Sequence, residues 1–229
     1  MNKRILLILV SALYFSIQTM GQQNSSTGEL IKKFNQNSKK SLVANDALIP
    51  DLKLNLQNER VLNNEKLIVL DLLFSHFLEK GELIEFKRLY QNNLFLLKQD
   101  ALKMYFWESV YSNYSRAYLK SLSAAKKHLN EAEKIKNNNE ISKAYKNLAI
   151  SNMFLNNKDS SLFYANLSLN FARRSASEDA VLNTFKTQSE IYNHFGMIGQ
   201  STSILIKFID QAEENRDDKN ICWGTIQIA

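Results

Sequence analysis

One proline and six glycines in 229 residues leave this chain few places to turn sharply, and that scarcity constrains its fold more than any other feature. A β-sandwich or barrel needs many turns, and turns draw on glycine and proline. The abundance of Leu, Lys, Asn and Ser suits long helices joined by short polar turns instead. With 45% apolar and 23% charged residues, the chain can bury a sizeable core, which excludes a disordered or collagen-like polymer. The single cysteine, Cys222, excludes a disulfide scaffold. The expected fold class is all-α.

The first twenty-one residues read as a secretory signal peptide: a basic start at Lys3 and Arg4, an apolar run from Ile5 to Ile17, and small residues at Thr19 and Gly21. Cleavage is expected after Gly21, which places the mature protein outside the cytoplasm, periplasmic or secreted. The run is shorter than the roughly 20 residues a membrane helix needs and is interrupted by Ser11 and Ser16. No cysteine follows it, so acyl anchoring is excluded. Removing Lys3 and Arg4 takes the formal charge from +6 to 6 − 2 = +4. No later stretch approaches spanning length, so no membrane span is expected in the mature chain.

From about Asn63 onward, apolar residues recur at helical spacing, broken by polar turns at Lys80-Gly81-Glu82, Lys136 to Asn139, Asn156-Asn157-Lys158 and Arg216-Asp217-Asp218. Each unit reads as two helices. Phe185, Gln188, Ser189 and Tyr192 stand forty residues after Tyr145, Leu148, Ala149 and Asn152, and self-similarity at such a period signals a solenoid. Two further units begin at Trp107 to Tyr114 and at Leu70 to Phe77, which makes about four helical hairpins. Ser177-Glu178-Asp179 offers a capping hydroxyl and first-turn acids to a helix start.

These residues resemble the tetratricopeptide repeat family. Its pattern places a bulky residue, then Leu-Gly or Leu-Ala, then Tyr, a turn glycine, and two Ala seven residues apart. Tyr145, Leu148, Ala149, Ser161 and Ser168 follow it in one unit, Phe185, Tyr192 and Gly196 in the next, and Trp107, Tyr114, Ala125 and Ala132 in the one before. Phe77 with Gly81 follows it in the first. Asn152 and Gln188 depart from it, and the spacing is nearer forty than the family's 34. The resemblance implies a right-handed α-solenoid over residues 63–229. Residues 22–62 are read as a linker and partial capping helix, with a helix from Glu29 to Val43 and Pro50 marking its end or a following turn.

After the turn at Asp217-Asp218-Lys219, Ile221 to Ile226 open a fifth first helix, with Trp223 thirty-eight residues after Phe185, and the sequence stops at Ala229. A repeat array needs a terminal unit with a polar outer face, and Trp223, Ile226 and Ile228 do not supply one. A truncated fifth hairpin, with possible end-to-end self-association, is the expectation.

Nothing in the sequence assembles a catalytic centre. His76, His128 and His194 fall in different hairpins, without H-E-x-x-H spacing. Gly199-Gln200-Ser201-Thr202-Ser203 lacks the second glycine of a nucleophile elbow. No catalytic, cofactor-binding or metal-ligating residues are assigned, no cofactor is expected, and an enzyme is not expected. A charge of +4 spread over helices that also carry acids gives no nucleic-acid footprint. What the family resemblance implies is recognition of a protein or peptide on a concave surface lined by the first helices. Its inward positions are Lys143, Lys146, Asn147 and Ile150 in one unit and Asn183, Lys186, Thr187 and Glu190 in the next, where lysine and asparagine could hold a peptide carboxylate. The alternative is the extracytoplasmic sensor part of a larger signalling protein, a histidine kinase or helix-turn-helix transcription regulator.

Overall fold

A computed structural model of the chain describes residues 27–38 and 43–228; the expected signal peptide and its cleavage point lie outside them. Helix α1 covers 27–38 and a 3₁₀ helix covers Val43–Leu48. Then come α2 (Ile49–Gln57), α3 (Asn63–Glu79), α4 (Leu83–Asn92), α5 (Leu94–Leu97), α6 (Ala101–Tyr114) and α7 (Tyr118–Lys134). They are followed by α8 (Asn138–Phe154), α9 (Lys158–Arg174), α10 (Glu178–His194), α11 (Ile198–Glu214) and α12 (Asp218–Ile228). No strand occurs among the described residues, so the all-α expectation holds, and consecutive helices pack on one another as in a helical-repeat fold. No helix among the described residues is long and apolar enough to cross a membrane.

The chain divides into two compact units after Leu89. In the first, Leu52, Leu70, Leu73, Phe74 and Phe86 are wholly buried, and Phe74 meets Phe86 edge to face at 5.3 Å. The helix expected over Glu29 to Val43 is instead α1 followed by the separate 3₁₀ turn. Pro50 does not end a helix: it occupies the first turn of α2, where its fixed φ and missing N–H cost nothing. His76 is buried between the rings of Phe34 and Phe77, with Nε2 3.2 Å from the Asp46 carboxylate.

In the second unit, α7 to α11 each have 17 residues. The residues with positive φ are Arg116, Lys136, Asn156, Ala176, Gly196 and Arg216, each twenty positions after the last. The period is therefore forty for a hairpin and twenty for a helix. Five of these six turns are closed by the residue after the positive-φ position: the N–H of Ala117 reaches the Ser112 carbonyl at 2.8 Å, Asn157 reaches Asn152 at 2.9 Å and Met197 reaches Tyr192 at 2.8 Å, whereas at Ala176 the N–H of Ser177 goes to the Ser175 hydroxyl at 3.3 Å. The five make the Schellman closure, which satisfies carbonyls the helix end would otherwise leave bare. Only two of the array's turns announce themselves by a residue suited to this geometry, Asn156 and Gly196.

The forty-residue register corrects several alignments: Tyr114 corresponds to Phe154 and not to Tyr192, and Ser121, not Ala125, to Ser161. Tyr105, not Trp107, corresponds to Tyr145 and Phe185, and Trp223 corresponds to Asn183 and Lys143 rather than to Phe185. Both tryptophans are two residues away from the bulky position, because matching the largest apolar side chains ignores the turn geometry that sets the register.

Within a hairpin the helices close on small residues. Ser161 Oγ donates to the Ala149 carbonyl at 2.9 Å, Ser201 to the Ser189 carbonyl at 3.1 Å, and Ser121 to the Ser109 carbonyl at 2.9 Å. In the same hairpin as Ser161, Ser168 donates to the Ser142 carbonyl at 2.9 Å, and toward the next hairpin it lies 3.3 Å from the Thr184 hydroxyl on α10. The same place in the next unit pairs a large residue with none: a Cβ on Gly224 would fall 2.9 Å from Phe208 Cδ1 and 2.7 Å from Ile209 Cγ1. Helix α12 thus docks on α11 around Trp223 and Gly224 and starts at Asp218, ahead of the expected Ile221.

Candidate functional site

The first helices of the hairpins are set by side-chain caps. The Asp100 carboxylate accepts from the Lys103 N–H and starts α6, Asn137 accepts from the N–H groups of Asn139 and Glu140 and starts α8, and the Ser177 hydroxyl accepts from the Ala180 N–H and starts α10. Helices α6, α8 and α10 also approach one another directly, α8 touching both neighbours. No such approach joins α7, α9 and α11 among the described residues. Helices that crowd together on one side and stand apart on the other make a curved layer, with α6, α8 and α10 on its inner side.

The residues expected on that side divide into two groups. Asn147 and Thr187 are buried, 2% and 5% exposed, and belong to the packing between helices; the Thr187 hydroxyl donates to its own helix at the Asn183 carbonyl, 3.1 Å away. They line no open surface. The register explains this, because both share a position with Trp107, which is also buried. Lys143, Lys146 and Lys186 are half-buried, and Asn183 is exposed.

The lysines differ in their surroundings. Lys143 Nζ donates to Glu140 at 2.7 Å and stands 5.7 Å from the Phe106 ring centroid. Glu140 also lies 3.1 Å from Nε2 of the fully buried His128. Burial pushes the Glu140 carboxyl up, but the hydrogen bonds and charges of His128 and Lys143 prevail and bring its pKa down to about 2. Lys186 Nζ stands 4.5 Å from the Trp223 ring centroid and 5.5 Å from that of Phe208, an aromatic setting that favours a cation. Lys146 has no ion pair among the described residues. Burial, aided by the charge of Lys143, lowers its pKa to about 8 against the opposing pull of Glu190.

Glu190 is exposed to solvent, yet desolvation by the protein around it raises its pKa in spite of Lys146 and Lys186. Accessible but desolvated is the condition of a group on the wall of a concavity. Tyr114 shares that setting: burial first, then the Glu190 charge, raises its pKa. Beside it runs an aromatic edge. Tyr114 and Phe154 are 42% and 43% exposed, Tyr118 stacks on Phe154 at 4.9 Å, and His194 meets Phe154 at 6.4 Å. Tyr114, Phe154 and His194 are the last residues of α6, α8 and α10. Their forty-residue spacing was available in the sequence; that they end three neighbouring helices was not.

No protein-family model matches the chain, and no curated protein matches it. Among solved structures, the crystal structure of BtubC (BKLC) from P. vanneervenii is similar in fold, with a TM-score of 0.50 and 9% sequence identity over 86% of this chain and 92% of that chain. At that identity the likeness speaks to the helical-repeat fold alone.

Proposed function

We propose that this protein is an exported tetratricopeptide-like interaction module that binds a peptide or partner protein across the inner layer of α6, α8 and α10. One observation carries the reading: Lys146 is a half-buried cation with no ion pair among the described residues, subject to the charges of Lys143 and Lys186 on the layer where the first helices converge. A fold that leaves a desolvated ammonium unmatched loses stability, and a partner's carboxylate would recover it on binding. The forty-residue period and the small-residue seams support the family resemblance, and the sequence of the first twenty-one residues supports export.

The test places a photoreactive benzoylphenylalanine at Ile150, on the inner layer, or at Leu119, 72% exposed on α7, in the native host. A partner crosslinked from Ile150 and not from Leu119, and lost when Lys146 and Lys186 are both replaced by Ala, is the expected result. Crosslinks from Leu119 alone, or crosslinks from Ile150 indifferent to the two lysines, refute the reading.

A further inference from the structure

The forty-residue register sorts the inner layer into rows that cross the three helices. Tyr114, Phe154 and His194 form the row at their carboxyl ends, and Val110, Ile150 and Glu190 form the next. Lys146 and Lys186 follow, on α8 and α10, with Lys143 one turn beyond on the amino-terminal side. A ligand lying across the helices therefore meets two unlike edges, one aromatic and aliphatic, the other basic.

Each edge is prepared for contact. The aromatic edge is held by ring contacts, Tyr118 stacked on Phe154 at 4.9 Å and His194 edge-on to Phe154 at 6.4 Å, so little side-chain freedom remains to be lost when it is covered. On the basic edge Glu140 is already engaged by His128 and Lys143, at 3.1 and 2.7 Å, and Lys146 has no ion pair among the described residues. An extended peptide points successive side chains in opposite directions. Alternating acidic and apolar residues would then lay every acid along one edge and every apolar group along the other. Glu190 sets the orientation, because its negative charge at the apolar side of the α10 row repels a strand turned the wrong way round.

We infer that the inner layer of α6, α8 and α10 takes an extended segment of alternating acidic and aromatic or aliphatic residues, its carboxylates over Lys143, Lys146 and Lys186 and its apolar side chains over Val110, Ile150 and the Tyr114–Phe154 edge. This deepens the interaction reading and rests on it.

The experiment measures fluorescence anisotropy of labelled nine-residue peptides with the purified chain. The probe alternates Glu and Phe; the controls alternate Glu and Ser, or Lys and Phe, or carry five Glu followed by four Phe. Three helices at the usual spacing of about 8–10 Å span about 20 Å, which nine extended residues at about 3.3 Å each cover. The Glu–Phe peptide should bind at least tenfold tighter than any control. Lys146→Glu should weaken it at least tenfold and Phe154→Ala about threefold, while Leu119→Ala leaves it unchanged; Lys146→Met, with helicity checked by circular dichroism, stands in should the charge reversal unfold the array. Equal binding of the Glu–Ser or the block peptide, still dependent on Lys146, would overturn the two-edge inference and leave the peptide-binding reading standing. No binding of the Glu–Phe peptide, while Ile150 still crosslinks a partner in the host, would do the same. Binding indifferent to every inner-layer variant would overturn both.

Discussion

The Ser161 hydroxyl donates to the Ala149 carbonyl at 2.9 Å across a hairpin, twelve residues apart in sequence, and the same relation recurs forty residues earlier at Ser121 and Ser109 and forty later at Ser201 and Ser189. A side chain this small lets the helices approach, and its hydroxyl is then close enough to reach the opposite backbone. Both effects predict a graded series. Ser161→Ala removes the hydrogen bond and keeps the approach, which costs about 1 kcal/mol. Ser161→Leu forces the helices apart and costs about 1–3 kcal/mol beyond that. Urea unfolding of the two variants checks the order; equal losses would mean that the hydroxyl, and not the spacing, stabilises the seam.

Lys136, Ala176 and Arg216 adopt positive φ, at 52°, 52° and 53°, where a Cβ crowds the following carbonyl and costs roughly 1–2 kcal/mol. Glycine has no such penalty, although its unfolded chain has more freedom to lose. Lys136→Gly and Arg216→Gly should each stabilise by about 0.5 kcal/mol, and Gly196→Ala, at φ 69°, should destabilise by about 1 kcal/mol. Thermal melts decide it: the signs must be opposite.

How far the sequence could be read follows from these two cases. The small residues at Ser161 and Ser168 declare a close helix pair because their size alone enforces it, and Ser177 declares a helix start because its hydroxyl has one good use there. Arg116 and Ala176 declare nothing, since the left-handed turn is imposed on them by the helices on either side. The twenty-residue beat was therefore only partly visible, because polar turns mark Lys136, Asn156 and Arg216 while nothing marks Arg116 or Ala176, and both tryptophans fall out of register. At the site, the lysines were visible but their inequality was not. What separates Lys143, Lys146 and Lys186 is Glu140 on one side and Trp223 on the other, and the second of these comes from another helix.

Glu140 titrates near 2 because His128 and Lys143 hold its charge. A carboxyl depressed from 4.5 by folding contributes stability that is fully present above that value and is lost as pH falls toward 2. Glu140→Gln should cost about 1.5–3 kcal/mol at pH 7, as for hydrogen bonds to a charged group, and much less near pH 2. Urea midpoints of both proteins across that range test it; a cost independent of pH would mean that packing, not charge, is what the substitution disturbs.

Helix α12 is held by the absence of a side chain. A Cβ on Gly224 would sit 2.9 Å from Cδ1 of the fully buried Phe208, a ring with no room to retreat. Gly224→Ala should therefore displace α12 at a cost of about 1–3 kcal/mol, even though Ala favours helix by about 1 kcal/mol over Gly. Amide exchange over residues 218–228 should be slow in the parent and fast in the variant. Equal exchange in both would show that α12 does not depend on this contact.

Lys146 supplies the sharpest test of the inner layer, because its neighbours make opposite predictions for chemically identical side chains. Its pKa falls from 10.5 to about 8, so between those values the unfolded chain binds more protons than the folded one and stability rises with pH. Below about 8 the ammonium is charged in both states and its desolvation penalty is present in full. Lys146→Met removes the penalty and keeps the aliphatic stem, so the variant should melt higher at pH 7. Solvent at the half-exposed site screens the effect, and a gain of about 1–2 °C is expected for a chain of this size. The gain should shrink as pH rises from 8 and disappear near 10.5, where the parent lysine is neutral in both states. Lys186 sits over the Trp223 and Phe208 rings, which stabilise its charge, so Lys186→Met should lower the melting temperature at pH 7. If both substitutions raised it equally, the cause would be the reduced net positive charge of the chain, and Lys146 would hold no special place.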